Sequence, residues 1–269
     1  MLRDITLGQY YQTESVIHRL DPQVKLGGTI FYIISLFLFK NFVGYLVAAL
    51  FLALVIRLSN VPFRFMIKGM RGILFLLLIT VGFNLFLTPG TPAVSLWKLT
   101  ITWEGIRVAV TMAVRLTLLI IGSSVMTLTT TPNNLTDGIE KMLRPLKMFK
   151  VPVHELAMMM SIALRFIPIL MEETDKIMKA QIARGADFES GNLFRRAKAM
   201  VPLLVPLFIS AFRRANDLAM AMEARCYRGG EGRTKMKPLI YKKRDYLAYG
   251  VLIAYLVGSV VVGRIVLWV

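Results

Sequence analysis

The sequence predicts an all-α fold: a polytopic membrane protein with about five transmembrane helices plus long cytoplasmic or interfacial helices. Three observations carry this. Of the 269 residues, 56% are hydrophobic, above the roughly 45–50% of an ordinary soluble domain. The apolar residues gather into blocks. The net charge of +17 collects between those blocks, as Lys and Arg do on the cytoplasmic side of a membrane. In a soluble chain such a charge would point to nucleic acid. No basic-aromatic recognition pattern accompanies it, so the expected partner is the lipid bilayer and no nucleic acid.

Residues 1–25 are mixed and polar, without the basic start, short apolar core and cleavage site of a signal peptide. The first apolar block is therefore expected to stay in the chain. Residues 26–39 and 42–56 are apolar and interrupted only by Lys40-Asn41. Each is short for a span and together they are far too long for one, so two spans joined by a tight turn are expected. Arg57 to Arg71 follows with four cations and no acid, and reads as a cytoplasmic loop, which places the N-terminus inside as well. Residues 73–87 form the third span, ended by Thr88-Pro-Gly-Thr-Pro92 on the outer side. Trp97 and Trp103 suit an interfacial position there. Residues 108–130 form the fourth span and carry Arg115, expected to snorkel toward the outer interface. The last span falls within residues 246–269, at about 246–262.

These assignments divide the chain into an N-terminal transmembrane region (1–130), a cytoplasmic region (131–245) and a C-terminal transmembrane helix (246–269). Between Pro132 and Asp245 stand 21 Lys and Arg against 12 Asp and Glu, a net of +9. Two apolar stretches within it, 154–171 and 199–212, hold Arg165 and the prolines Pro168, Pro202 and Pro206. They are expected to lie at the membrane surface or to pack under the spans. Ten of the 16 methionines fall between Met142 and Met222, a composition that suits either an irregular core or an adaptable contact face.

The same region holds a duplicated pattern. Ile177-x-x-Ala180-x-x-Ala183-Arg184 is followed by Gly185, and Leu218-x-x-Ala221-x-x-Ala224-Arg225 by Cys226. The three-residue spacing puts the small residues near one helix face. Ala180 and Ala221 would permit close helix crossing. An Arg at each helix end meets the negative pole of the helix dipole and keeps donors free for a partner.

Catalytic chemistry is not legible. No G-x-x-x-x-G-K-[ST] phosphate loop occurs, and Gly229 to Lys235 lacks its order. The two histidines, His18 and His154, lack ligand spacing, and Cys226 is the single cysteine, so neither a metal site nor an internal disulfide is expected. Glu172, Glu173 and Asp175 read as a solvated helix face. The expectation is a non-catalytic chain without cofactor.

The residues resemble a known family, the transmembrane T component (EcfT) of energy-coupling factor (ECF) type ABC transporters. Ala183-Arg184-Gly185 and Ala224-Arg225-Cys226 are similar to that family's paired Ala-Arg-Gly tips, the second with Cys in the last place. Asp21-Pro22-Gln23-Val24-Lys25 resembles its Asp-Pro-Arg-x-Lys segment, and Arg165-Phe166-Ile167-Pro168 its Arg-Phe-Ile-Pro stretch. The resemblance implies a scaffold between two ABC-type ATPases, seated on the Arg tips, and an S component that captures a vitamin or metal ion. Arg165, Phe166, Pro168, Asp21, Pro22 and Lys25 would serve the S component or the fold. A local pairing of Asp21 with Lys25, one turn apart, is expected. Two other readings stay open: a permease of an ordinary ABC importer with its own substrate path, and a membrane-embedded enzyme acting on lipid.

Overall fold

The structure, a computed structural model, describes residues 10–39, 41–96, 99–188, 192–230, 236 and 238–265. Trp97, Lys40 and residues 231–235 of the glycine-rich stretch lie outside them. The described residues form two compact units, one of residues 10–141 with 239–265, the other within 142–238.

The first unit holds five long helices: α1 (Pro22–Leu38), α2 (Phe42–Ser59), α3 (Phe63–Leu87), α4 (Trp103–Thr129) and α8 (Lys243–Ile265). The shorter α5 (Pro132–Leu143) leads out of it. Length and composition let α2, α4 and α8 cross a membrane, with α1 and residues 72–87 of α3 as shorter apolar helices. The chain is thus all-α in character. Its one departure among the described residues is a small antiparallel hairpin between α3 and α4, β1 (Pro92–Leu96) with β2 (Leu99–Thr102). The proline-rich break after residue 87 signals a turn, but nothing in it singles out strand pairing.

Local chemistry sets each boundary. Asp21 caps α1, its carboxylate accepting from the Gln23 N–H at 2.9 Å, with Pro22 at the first helical position. Asn60 turns left-handed at φ 54° to end α2. Only residues 60–62 separate α2 from α3, so the expected cationic loop does not exist: Arg57 lies on α2, and Arg64, Lys68 and Arg71 lie on α3. At the start of α4, Thr102 Oγ1 accepts from the Gly105 N–H at 3.0 Å and donates to the Thr88 carbonyl at 2.9 Å. A Cβ on Gly105 would stand 3.0 Å from the Leu85 carbonyl oxygen, so glycine is what lets α3 and α4 meet here.

Helices in a bilayer gain little from apolar burial against one another, because lipid is as apolar as they are; close packing and hydrogen bonds decide how they assemble. The interior shows this. Tyr45, Leu36 and Met66 are fully buried, while Phe75, Leu76 and Phe83 of α3 face outward. Polar pins set the contacts: Ser35 Oγ meets Tyr255 Oη at 2.7 Å between α1 and α8, and Phe51 of α2 stacks on Tyr255 at 4.3 Å.

Arg115 is the strongest such pin. Its Nε and one terminal nitrogen donate to the Tyr45 hydroxyl at 2.9 and 2.6 Å, and that hydroxyl donates to the Phe39 carbonyl at 3.1 Å. Its guanidinium also lies over the Phe37 and Tyr45 rings. Arg115 therefore points at protein, where it holds the α1–α2 turn, rather than escaping to the interface. Replacing it with Met keeps bulk but removes the donors, and should lower stability by about 2 kcal/mol. Thermal unfolding of the full chain in detergent measures this; an unchanged midpoint would show that the Tyr45 contact holds nothing.

The second unit is built on α6 (Val153–Ala183, 31 residues) and α7 (Leu193–Ala224, 32 residues), entered through a 3-10 turn at Arg144–Phe149. Both continue through their prolines, so the two apolar stretches are parts of much longer helices. α6 is also long and apolar enough to cross a membrane by length and composition, a possibility its interruptions had hidden. A proline inside a helix removes one N–H and leaves the carbonyl four residues earlier without its partner. Pro206 does this to Pro202, whose freed carbonyl accepts from Gln181 Nε2 of α6 at 3.5 Å.

Candidate functional site: two arginine-tipped helix ends

Three contacts fix how α6 and α7 run. Gln181 meets Pro202. Glu173 meets Ser210 and Arg214. Gly230, just past α7, lies so close to His154 at the start of α6 that a Cβ would collide with its ring. As the α6 number falls, its partner's rises, so the helices are antiparallel. Their C-terminal ends therefore point opposite ways.

The centre is pinned by charge. Arg214 donates twice to Glu173 Oε2, at 3.2 and 2.8 Å, and Ser210 Oγ donates to Oε1 at 2.5 Å. Glu173 thus faces α7 rather than solvent. Arg184 lies eleven positions past Glu173, and Arg225 eleven past Arg214. At ~1.5 Å per residue, both tips stand about 16 Å beyond the pin and roughly 30–40 Å from each other.

The two ends close with the same hydrogen-bond pattern. On α6 the Gly185 N–H donates to Ile182 at 2.9 Å and the Ala186 N–H to Gln181 at 2.9 Å. On α7 the Cys226 N–H donates to Glu223 at 2.8 Å and the Tyr227 N–H to Met222 at 3.0 Å. Each is a Schellman termination, with the residue after the Arg in the left-handed region: Gly185 at φ 85° and Cys226 at φ 56°. These backbone bonds satisfy the last carbonyls, so neither Arg has to. Arg184 and Arg225 are exposed, as are Ala180, Ala183, Ala221 and Ala224. Glu173, Gln181, Pro202, Ser210 and Arg214 make the crossing, and the small residues stand on open surface.

The Arg-Phe-Ile-Pro stretch sits in mid-α6, with Arg165 and Pro168 exposed and Phe166 half-buried. The Asp21–Lys25 segment serves the other unit, and the expected local pair does not form. Asp21 instead pairs with Lys141 Nζ at 2.9 Å, and its N–H donates to Asp245 Oδ1 at 2.8 Å. Lys25 Nζ donates to the carbonyls of His18 and Thr129, at 3.0 and 2.8 Å. A Cβ on Gly138 of α5 would come within 3.1 Å of Pro22 backbone, so Pro22 is where α5 packs against the start of α1. The sequence carries no signal for these partners, which lie 120 and 224 positions from Asp21; the same holds for Glu173 and Arg214, 41 apart. Among the described residues no three His, Cys, Asp or Glu come together as metal ligands do.

His18 sits beside this segment, Nε2 against the Tyr11 carbonyl at 3.1 Å and Nδ1 against Ser15 Oγ at 2.7 Å. Burial holds its pKa below the usual histidine value.

Several helices long and apolar enough to cross a membrane define a multi-pass helical membrane protein. Comparison with known proteins agrees. The model of the CbiQ family, cobalt transport protein, matches residues 13–236. The energy-coupling factor transporter transmembrane protein EcfT of Clostridium kluyveri is 57% identical over 250 residues, 92% of this chain and 93% of its own. That of Ruminiclostridium cellulolyticum is 54% identical, covering 95% and 96%, and that of Bacillus subtilis 48% identical, covering 91% and 93%. The chain belongs to this family, the membrane components of energy-coupling factor transporters.

Left-handed backbone costs an ordinary residue on the order of 1 kcal/mol that glycine avoids. Cys226→Gly should therefore stabilise the unit by about 1 kcal/mol, and Gly185→Ala, whose Cβ would touch nothing, should destabilise it by about as much through conformation alone. Denaturant titration reads both; equal midpoints for all three proteins would contradict the shared termination. A double-mutant cycle with Glu173→Gln and Arg214→Gln should give a coupling of about 1 kcal/mol for this partly exposed pair, and zero coupling would remove the central pin.

Proposed function

We propose that the chain is the non-catalytic scaffold through which two ABC-type ATPases drive an S component that captures a vitamin or metal ion. Arg184 and Arg225, with Ala183, Gly185, Ala224 and Cys226, are the seats of the two ATPases. The observation that carries this is the pair of identically terminated, exposed Arg tips at opposite ends of one antiparallel helix pair. A guanidinium whose helix end is already satisfied keeps its fork of donors for a carboxylate or carbonyl set on a partner. Two such ends, tens of ångströms apart, suit two bodies rather than one.

The proposed mechanism follows from the pair's construction. When ATP draws the ATPases together, both tips receive load along α6 and α7. Long helices pinned about two-thirds of the way along each by Glu173 and Arg214 pass that load on as a change of crossing rather than by bending. The exposed apolar side chains of the pair, Met159, Met160, Leu204, Phe208 and Phe212 among them, would carry the S component. Met supplies a face that adapts to different surfaces. The cations of Arg57, Arg64, Lys68 and Arg71 support a cytoplasmic N-terminus.

The test replaces Arg184 and Arg225 with Ala together, in cells making the whole transporter. Each truncation of an anchoring Arg costs about 2 kcal/mol, so ATPase recovered with the chain should fall at least ~30-fold for the pair, and uptake with it. Full recovery and full uptake would sink the proposal. Arg→Lys at both positions should restore binding only in part if the fork matters rather than charge alone.

A further inference from the structure

A cleft of about 360 Å³ opens into the first unit, between α1, α2, α4 and α8. Its walls are almost wholly apolar, and it reaches from Lys25 inward to Tyr32, seven residues or about 10 Å along α1. Its edge residues Leu54, Leu58 and Val251 are exposed, so it is open to the surroundings of the helices. Two cations stand at its mouth, Lys25 and Arg244. This is the end where α1 and α8 begin and α2 and α4 finish, hence a membrane–water boundary for those helices.

The charges at the mouth do not balance. Lys25 lies within electrostatic reach of Arg244, Asp21 and Asp245, and Lys141 is bonded to Asp21. Among these described groups three cations thus share two carboxylates, leaving one positive charge. The carboxylates are already engaged by Lys141 and by the backbone N–H groups of Asp21, Gln23 and Lys242. Lys25 spends two of its three donors on carbonyls. Arg244 forms no hydrogen bond among the described residues, and its Nε is buried without a partner. A buried, unpartnered guanidinium donor is costly enough to call for an acceptor.

We infer that this cleft seats one anionic phospholipid, its monoanionic phosphodiester at Arg244 and Lys25 and an acyl chain along the apolar wall toward Tyr32. One negative charge meets the one unbalanced positive charge. The phosphate's non-bridging oxygens supply the acceptors Arg244 lacks, and the chain fills a groove that water would leave poorly solvated. A zwitterionic lipid offers the same phosphate but returns a cation to a site that already has one too many.

The experiment is native mass spectrometry of the purified full chain in detergent, with dioleoyl phosphatidylglycerol or dioleoyl phosphatidylcholine added at equal concentration. The wild type should retain phosphatidylglycerol over phosphatidylcholine by about fivefold, the ratio one interfacial cation provides. Arg244→Gln should bring the two lipids to parity, and Arg244→Lys should keep the preference. Leu54→Trp, at an exposed edge residue, should lower retention of phosphatidylglycerol by blocking the groove. An elution profile matching the wild type shows each variant folded. Parity in the wild type, an unchanged preference in Arg244→Gln, or undiminished retention in Leu54→Trp would overturn the assignment. So would displacement of phosphatidylglycerol by millimolar glycerol phosphate, which would make the site one for a free phosphate.

Discussion

Two buried carboxylates, Asp21 and Asp245, set the constraint around which the first unit is organised. Asp245 is 1% exposed and Asp21 6%, and ionised groups at that depth must be partnered or they cost several kcal/mol each. Lys141 supplies a charge and covers the Tyr241 ring at 3.6 Å. The beginnings of α1 and α8 supply N–H groups, which the helix dipole makes favourable for anions. Satisfying these two side chains therefore fixes the start of α1, the start of α8 and the end of α5 at one place. Lys141 Nζ also reaches the Leu239 carbonyl at 3.5 Å. The chain leaves this unit just after residue 141 and re-enters it at 239, so its departure and return are fastened to the same knot. Asp21, Pro22 and Lys25 all belong to that arrangement, which gives the Asp-Pro segment a structural reason to exist.

The same economy recurs where helices meet in an apolar medium. Apolar contact alone discriminates poorly between registers there, so single polar groups choose them. Arg115 with Tyr45 fixes the α1–α2 turn, and Ser35 with Tyr255 fixes α1 against α8. In the second unit, the carbonyl that Pro206 releases is taken up by Gln181, and Glu173 with Arg214 fixes the middle of the pair. A proline that would weaken an isolated helix here creates the acceptor that joins two helices. The lipid inferred at Arg244 would extend this logic to a mouth cation that finds no acceptor among the described residues.

How much of this the sequence discloses depends on the range of the interaction. Apolar blocks reveal the spans because hydrophobic length is a property of a single segment. Asp21-Pro22 reveals the start of α1 because a cap and an N1 proline act within three residues. The Arg tips are visible because duplication marks them. By contrast, the partners of Asp21, Arg115 and Glu173 lie far along the chain, and no local pattern names them. The continuity of α6 and α7 was hidden by their prolines, and the Gln181 donor that takes up the carbonyl freed by Pro206 lies on the other helix, where no local pattern names it. The left-handed Cys226 was equally hidden, since only the parallel with Gly185 shows that a backbone conformation, and not a side chain, is what the two tips share.

The proposed role of those tips rests on each reaching a separate ATPase. A photoreactive amino acid placed at Ala183 or at Ala224, both exposed beside their Arg, asks this in the assembled transporter. Irradiation should join the chain to an ATPase subunit from each position separately. Cross-links from both positions only within the chain or to lipid, or to an ATPase from one position alone, would contradict it.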